Sequence, residues 1–359
     1  MILSISGLGT ALPPFSITWE QMAAFTGSFC CQNAEQAELH RLLYARSGVR
    51  RKHSALLQGE CRDGHVPQSF YPESTCGRGP STGRRMQAYE SLAPPLAMEA
   101  SQKALGEARI APADVTHLVT VSCTGFMAPG VEMALIEGLA LRPTVERSHV
   151  GFMGCHGAIN GLKVARGCLA AEPEARVLMC AVELCTLHFF SGWDPEKIVA
   201  NALFADGAGA LVCQSSDSAA WRLAAVGTLK IPDSGAAMTW KIGDFGFEMG
   251  LSRRVPELIA RNLRGWVESW LDRQGLTLDQ IGSWAVHPGG PKILDAVELS
   301  LSLPEGALAH SREVLAECGN MSSPTVLFII DRMRRSGSRR PRVVLGFGPG
   351  MVVEAALFV

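Results

Sequence analysis

This sequence predicts an α/β fold made of two divergent copies of one α/β unit, on three observations. Near-continuous apolar runs such as "VTHLVTVSC" and "ARVLMCAVELC" suit strands of a sheet covered on both faces. Helical patterns stand between those runs. The order of elements around Cys155 also recurs around Asn320: strand, helix, a small-residue turn entering a helix, then an apolar strand. About 40 residues separate Val115 from Cys155, and about 40 separate Ile281 from Asn320, a period too long for a solenoid. The expected division is residues 1–215, carrying the cysteine, and residues 216–359, carrying a histidine and an asparagine.

Taken in order, "ILSISGLGTALP" alternates and breaks at Gly and Pro, as a first strand does. "AEQAELHRLLYARSGV" has helical spacing and a stop at Gly48. "GRGPSTGRRMQAYESLAPPLAMEASQKALGEA" reads as a loop and then a helix, kinked or split at Pro94 and Pro95. "VTHLVTVSC" is a strand, "GVEMALIEGLAL" a helix, and "CHGAINGLKVARGCL" a helix with Ile159, Leu162, Ala165 and Leu169 on one face. "ARVLMCAVELC" is the next strand. In the second half, "DQIGSWAVHPGG" is a strand, "PKILDAVELSL" a helix, "CGNMSSPTVLFIIDRM" a turn into a helix, and "PRVVLGFGPG" a strand. The duplication makes Cys155 and Asn320 equivalent positions, each where a helix begins.

An apolar fraction of 47% with 19% charged residues describes a globular chain with a generous core. A net charge of -1 argues against nucleic acid or an anionic membrane as partner. No apolar run is long enough to span a bilayer. The start "MILSISGLGTALPP" lacks the basic and small-residue features of a secretory leader, so a cytoplasmic protein is expected. The 11 cysteines include no C-x-x-C pair, which points to buried thiols rather than disulfides or a metal site.

Cys155 sits among small residues in "GFMGCHGAING". A helix N-terminus offers unpaired N–H groups and partial positive charge, which favour a thiolate and can hold an oxyanion. A buried structural sulfur is the competing reading. His287 ends the strand "SWAV", at the kind of position where catalytic groups of α/β sheets collect; it could equally cap a carbonyl. His156, beside the cysteine, is expected to face away from it. Asn320 could be a simple helix N-cap. If the duplication holds, all three groups converge, which suits acyl transfer to sulfur, or decarboxylation with His287 and Asn320 donating to an enolate oxygen. A protease using Asn to orient His remains an alternative. "GFGPG" is followed by no helix, so it is not a dinucleotide fingerprint.

Together "GFMGCHGAINGL", "NALFADGAGALV", "WAVHPGGPKILDAVE", "CGNMSSPTVLFIIDRM" and "GFGPG" resemble type III polyketide synthases, the chalcone-synthase-like branch of the thiolase superfamily, in register over essentially the whole chain. The resemblance implies a thiolase-like, duplicated αβαβα five-layer fold, a homodimer, and coenzyme A thioesters as substrates with no cofactor and no metal. It implies that Cys155 takes an acyl group from CoA. His287 would keep it as thiolate and, with Asn320, assist decarboxylation of malonyl-CoA. Phe204 matches a gatekeeping phenylalanine, and Phe347 and Pro349 match a loop that shapes the cyclisation cavity. Arg46, Arg50, Arg51 and Lys52 fall where the family grips CoA phosphates, and Lys292 is a further candidate at a helix start.

The chain departs from plant members at several pocket positions. Met249 stands where a second gate phenylalanine is expected, Ala128 where a methionine lines the partner subunit's cavity, and Cys123 at a position often occupied by threonine. "WKIGDFGFEMGLSRRVP" looks more like bacterial members that form alkylresorcinols or alkylpyrones. A fatty acyl starter extended by malonyl-CoA is therefore expected, with an aromatic or malonyl starter as the rival. A ketoacyl-carrier-protein synthase-like enzyme making one condensation is the alternative, and a carrier protein could deliver the starter.

Overall fold

The computed structural model describes residues 3–62, 64–71, 78–216 and 219–359. Ile2 and Gly77, which open the first-strand and loop readings, lie outside them. The elements of the first half are β1 (Leu3–Ala11), β2 (Ser16–Thr18), α1 (Trp19–Cys30), α2 (Ala34–Ala45), β3 (Arg51–His53), α3 (Thr82–Ala108), β4 (His117–Ser122), α4 (Val131–Gly138), β5 (Glu146–Gly151), α5 (Gly157–Ala171), β6 (Val177–Leu184), α6 (Pro195–Leu203) and β7 (Asp206–Ser215). The second half follows with β8 (Leu223–Lys230), β9 (Met238–Gly243), β10 (Gly246–Leu251), α7 (Val255–Asp272), β11 (Ser283–Val286), α8 (Pro291–Leu301), α9 (Ala309–Cys318), α10 (Thr325–Arg335), β12 (Arg342–Gly348) and β13 (Val352–Phe358).

The duplication is visible in strand order. One sheet runs β1-β7-β6-β4-β5 and the other β8-β13-β12-β11. In both, the first three strands pair antiparallel and the next joins parallel. The first sheet adds β5, parallel to β4, as its outer strand; the second sheet has no fifth strand among the described residues.

Alternation along the strands builds the layers. In β12, Val343, Leu345 and Phe347 face a core shared with Ile259, Leu263 and Val267 of α7 and Leu294 and Val297 of α8. Val344 faces the opposite way, into a core with Ile159 and Leu162 of α5 and Leu327 and Ile330 of α10. On the first sheet, Leu118 and Leu178 face Ala97, Ala100 and Ala104 of α3 and Leu135 of α4, while Val119 and Met179 join the central core. The result is α3/α4, sheet, α5/α10, sheet, α7/α8: five layers. The face of α5 expected to carry Ile159, Leu162, Ala165 and Leu169 is buried there.

Two expectations of local structure change. Pro94 and Pro95 do not split their helix, which runs unbroken for 27 residues. Packing along β1 and β7 keeps it in place despite two missing N–H donors. Cys155 and Asn320 are also not local equivalents. Cys155 lies in a 3-10 turn leading straight into α5, whereas Asn320 precedes α10 by five residues and forms an isolated bridge with Phe204.

Close approach of α3 to β1 explains "SGLG". A Cβ on Gly9 would lie 2.2 Å from the carbonyl oxygen of Ala100, and one on Gly7 2.1 Å from that of Ala104. Gly9→Val is expected to cost about 1–3 kcal/mol, read as a lower urea midpoint with an unchanged denaturant slope.

Candidate active site

From the end of β5 the chain turns through Phe152 (φ 56°) and Gly154 (φ 68°) into the single turn Gly154–His156 that holds Cys155. Left-handed backbone at a phenylalanine is costly and persists only where the surroundings enforce it. Gly154 allows the close approach of Pro349, whose Cδ would lie 2.3 Å from an added Cβ. Cys155 is buried, and desolvation pushes its thiol up to about 11, with the charge of Glu183 adding to the shift. The side chains of Ser322 and Asn320 oppose it by hydrogen bonding to the sulfur. Burial therefore works against the thiolate that a helix start favours.

His287 extends the β11–β12 ladder by one residue, its N–H donating to the Leu345 carbonyl at 2.8 Å. Its imidazole is 1% exposed, and neither ring nitrogen has a hydrogen-bond partner among the described residues. Burial, with neighbouring His156, lowers its pKa to about 3, so the ring is neutral and offers one donor and one acceptor nitrogen. His156 turns to Asn160, Nδ1 lying 2.7 Å from its Oδ1, and packs on Gly346 and Gly348 of β12.

Asn320 is held by backbone on both sides. Its N–H donates to the Leu203 carbonyl at 2.8 Å, and its own carbonyl accepts from Ala205 N–H at 2.9 Å. The side-chain oxygen accepts from Ser322 N–H at 2.8 Å. Because that partner can only donate, the amide orientation is fixed, and Nδ2 points to Cys155 Sγ at 4.0 Å. Ser322 itself is left-handed (φ 57°).

Below this group lies Glu183, the one acid in the apolar strand β6 and fully buried. It accepts from the N–H groups of Cys123 and Thr124, the hydroxyls of Ser122, Thr124 and Ser323, and the Cys123 thiol. Burial raises its pKa and these donors pull it down, with a net rise. Cys123 Sγ is also 3.4 Å from Ser322 Oγ.

The space beside Cys155 is about 20 Å³, lined by Cys123, Cys185, Met238, Trp240, Met249 and Pro349 among others. A cavity of about 490 Å³ adjoins it. Phe204, Met249, Trp240 and Cys185 line both and form the partition. Trp240 is fixed there by donating from Nε1 to the Cys123 carbonyl at 2.7 Å. Of the two residues expected to shape the chamber, Pro349 lines it, but Phe347 points into the outer core against α7 and α8, because alternate residues of β12 face opposite sides. Ala128 is exposed and lines none of these cavities.

Arg46, Arg50, Arg51 and Lys292 are exposed. Arg50 pairs with Glu317 at 3.3 Å. The segment holding Arg46 and Arg50 lies against the start of α8, since a Cβ on Gly48 would be 3.6 Å from Pro291. Lys52 is different: it is 3% exposed, and its ammonium donates to the carbonyls of Asn201 and Phe204 at 2.6 and 2.7 Å. Both acceptors are backbone groups and take two of its three N–H donors, while the side chain also lines the larger cavity.

Sequence reading missed Glu183, Ser322, Trp240 and Cys185. A lone acid inside "VLMCAVEL" was a signal for the first, since an unpaired carboxylate rarely enters a core strand without a purpose. Nothing in "MTWKIG" marks Trp240 as part of a partition.

A duplicated five-layer fold with cysteine, histidine and asparagine at the ends of its elements defines the thiolase-like class. Residues 2–217 match the family described as chalcone and stilbene synthases, N-terminal domain, and residues 223–359 its C-terminal domain; the chain belongs to this family and is a type III polyketide synthase, a CoA-dependent acyltransferase. It is 33% identical to 1,3,6,8-tetrahydroxynaphthalene synthase of Streptomyces peucetius subsp. caesius, over 99% of this chain and 92% of that one. It is also 33% identical to the alpha-pyrone synthesis polyketide synthase-like Pks18 of Mycobacterium tuberculosis, over 78% of this chain and 74% of that one. Among solved structures, PKS-I from the brown alga Ectocarpus siliculosus superposes with a TM-score of 0.93 at 27% identity, covering 99% of this chain and 98% of that one.

With burial pushing the Cys155 thiol up to about 11, its alkylation by iodoacetamide should quicken steadily from pH 6 to pH 9 without levelling off. A plateau already reached below pH 7 would show a preformed thiolate–imidazolium pair instead.

Proposed function

We propose that the enzyme loads a fatty acyl group from CoA onto Cys155, extends it with malonyl-CoA in repeated decarboxylative condensations, and releases an alkylpyrone or alkylresorcinol-type product. Two observations carry the roles: a buried, neutral His287 whose ring nitrogens have no hydrogen-bond partner among the described residues, and an Asn320 amide whose oxygen is engaged by Ser322 and whose Nδ2 faces Cys155 Sγ. Cys155 gives its proton to His287 as sulfur attacks the starter thioester, and CoA leaves as the thiol once that proton is returned. Malonyl-CoA then loses CO2, and the enolate oxygen accepts hydrogen bonds from Asn320 Nδ2 and the donor nitrogen of His287. The carbanion attacks the Cys155 thioester, freeing the sulfur to take back the lengthened chain.

The fatty acyl starter is supported by the adjoining cavity. Ile17, Met22, Phe25, Leu56, Leu57 and Val66 give it apolar walls, and flexible Met249 stands in the partition. A relative described by alpha-pyrone synthesis supports the pyrone form of the product. Arg46, Arg50 and Lys292 are the candidates for the CoA phosphates, and no resident cofactor takes part in this chemistry.

Mass spectrometry of products from malonyl-CoA and a panel of acyl-CoA starters tests the reading. Alkyl-tailed pyrones or resorcinols are expected, absent with Cys155→Ala; Asn320→Ala should lower condensation by about 10²–10³-fold. Products only from aromatic or malonyl starters would overturn the starter, and a single ketoacyl product would overturn the iterative reading.

A second copy of the chain is proposed to pair along β5. That strand is the outer edge of its sheet, and Phe126 (70% exposed) and Met153 (43%) stand beside it uncovered. Pairing there would turn Ala128 toward the partner. Phe126→Asp is expected to convert a dimer to monomer in light scattering after gel filtration; a wild-type monomer would refute the pairing.

A further inference from the structure

The structure assigns Lys52 a role other than phosphate binding: we propose that it is a positioning residue whose charged ammonium holds the Phe204 gate and Asn320 in one register. This rests on the proposed roles of Cys155 and Asn320. The last turn of a helix leaves its carbonyls without intrahelical partners. At the end of α6 three of them have specific partners: Ala200 accepts from Phe204 N–H, Leu203 from Asn320 N–H, and Asn201 from Lys52, which also takes the Phe204 carbonyl just beyond. A cation at a helix C-terminus is favourable in itself.

The same side chain touches the other end of the site. A Cβ on Gly319 would be 3.2 Å from Lys52 Cβ, 3.0 Å from the Leu203 carbonyl and 2.9 Å from Ala205 Cβ. Lys52 is thus clamped between the residue that divides the two cavities and the residue preceding the catalytic asparagine. The bridge between Phe204 and Asn320 closes the loop. Gly319, left-handed at φ 75°, is what lets these chains meet.

The ammonium is held by two neutral carbonyls. The ionisable groups that act on it are Asp206 at the start of β7 and Cys185 after β6. Asp206 is buried and already accepts from the N–H groups of Ala55 and Thr186 and the Thr186 hydroxyl. Arg51 and His53 flank Lys52 in the strand and so face the other way, and Glu317 on α9 pairs with Arg50 and Arg332. Burial is the dominant influence and brings the Lys52 pKa down to about 7. The charged form therefore predominates below neutral pH and is lost as pH rises through that value, loosening both carbonyl contacts.

The test compares wild type, Lys52→Arg and Lys52→Met across pH 6 to 9. Three quantities are read: acylation of Cys155 by intact-protein mass spectrometry, condensed product, and malonyl-CoA decarboxylated without condensation. Wild type should load at every pH but lose condensation above about pH 7, with uncoupled decarboxylation rising in proportion. Lys52→Arg keeps a charge that does not titrate in this range, so its loss of condensation above pH 7 should vanish. Lys52→Met should load normally and condense about tenfold less at pH 6. If the methionine variant does not fold, the wild-type and arginine profiles decide alone. Identical profiles for those two, or full condensation by Lys52→Met, would overturn the role of Lys52. Failure of wild type to load Cys155 would instead overturn the proposed nucleophile.

Discussion

Glu183 is the constraint on which the site depends. A carboxylate without a cation is costly to bury, and this one is stabilised by donors alone, from Ser122, Cys123 and Thr124 at the end of β4 and from Ser323 before α10. The first three belong to one half of the duplication and the last to the other. The carboxylate therefore fixes the end of one sheet to the segment that carries Asn320 and Ser322, and through them the groups around Cys155. Its oxygens are fully committed to that task. Replacing it with a shorter or neutral side chain would leave several buried donors unpaired at the seam between the halves.

Much of the architecture was legible because it follows from periodicity. Strands such as β4 and β6, and the inward face of α5, are written as apolar patterns. The duplication was legible as repeated order, and strand topology bears it out. The local equivalence of Cys155 and Asn320 was not, because divergence put Asn320 five residues before α10 but Cys155 only two before α5. Lys52 looked like one of four basic residues in "RSGVRRKH". Only the third dimension shows that strand alternation turns it inward while Arg51 stays outside. Phe347 failed for a similar reason: motif position says where the backbone runs, and the pleat decides which face a side chain serves.

The partition gives the molecule its asymmetry. On one side is a space of about 20 Å³ beside the sulfur, on the other an apolar cavity of about 490 Å³. Trp240 is the stiffest member, tied to the Cys123 carbonyl and set against His188 and Phe247. Met249, opposite it in the β9–β10 hairpin, is the most adaptable. Rigidity and compliance thus sit on adjoining strands, so the hairpin can yield at one residue while keeping its place through the other.

The small void beside Cys155 has a consequence for the lifetime of a thioester formed there. A space of about 20 Å³ admits roughly one water molecule, and hydrolysis requires that water to reach the carbonyl carbon at a workable angle while a base takes its proton. An acyl group on the sulfur would occupy that same space. Crowding beside the sulfur is then one contribution to keeping water from an acyl group held there.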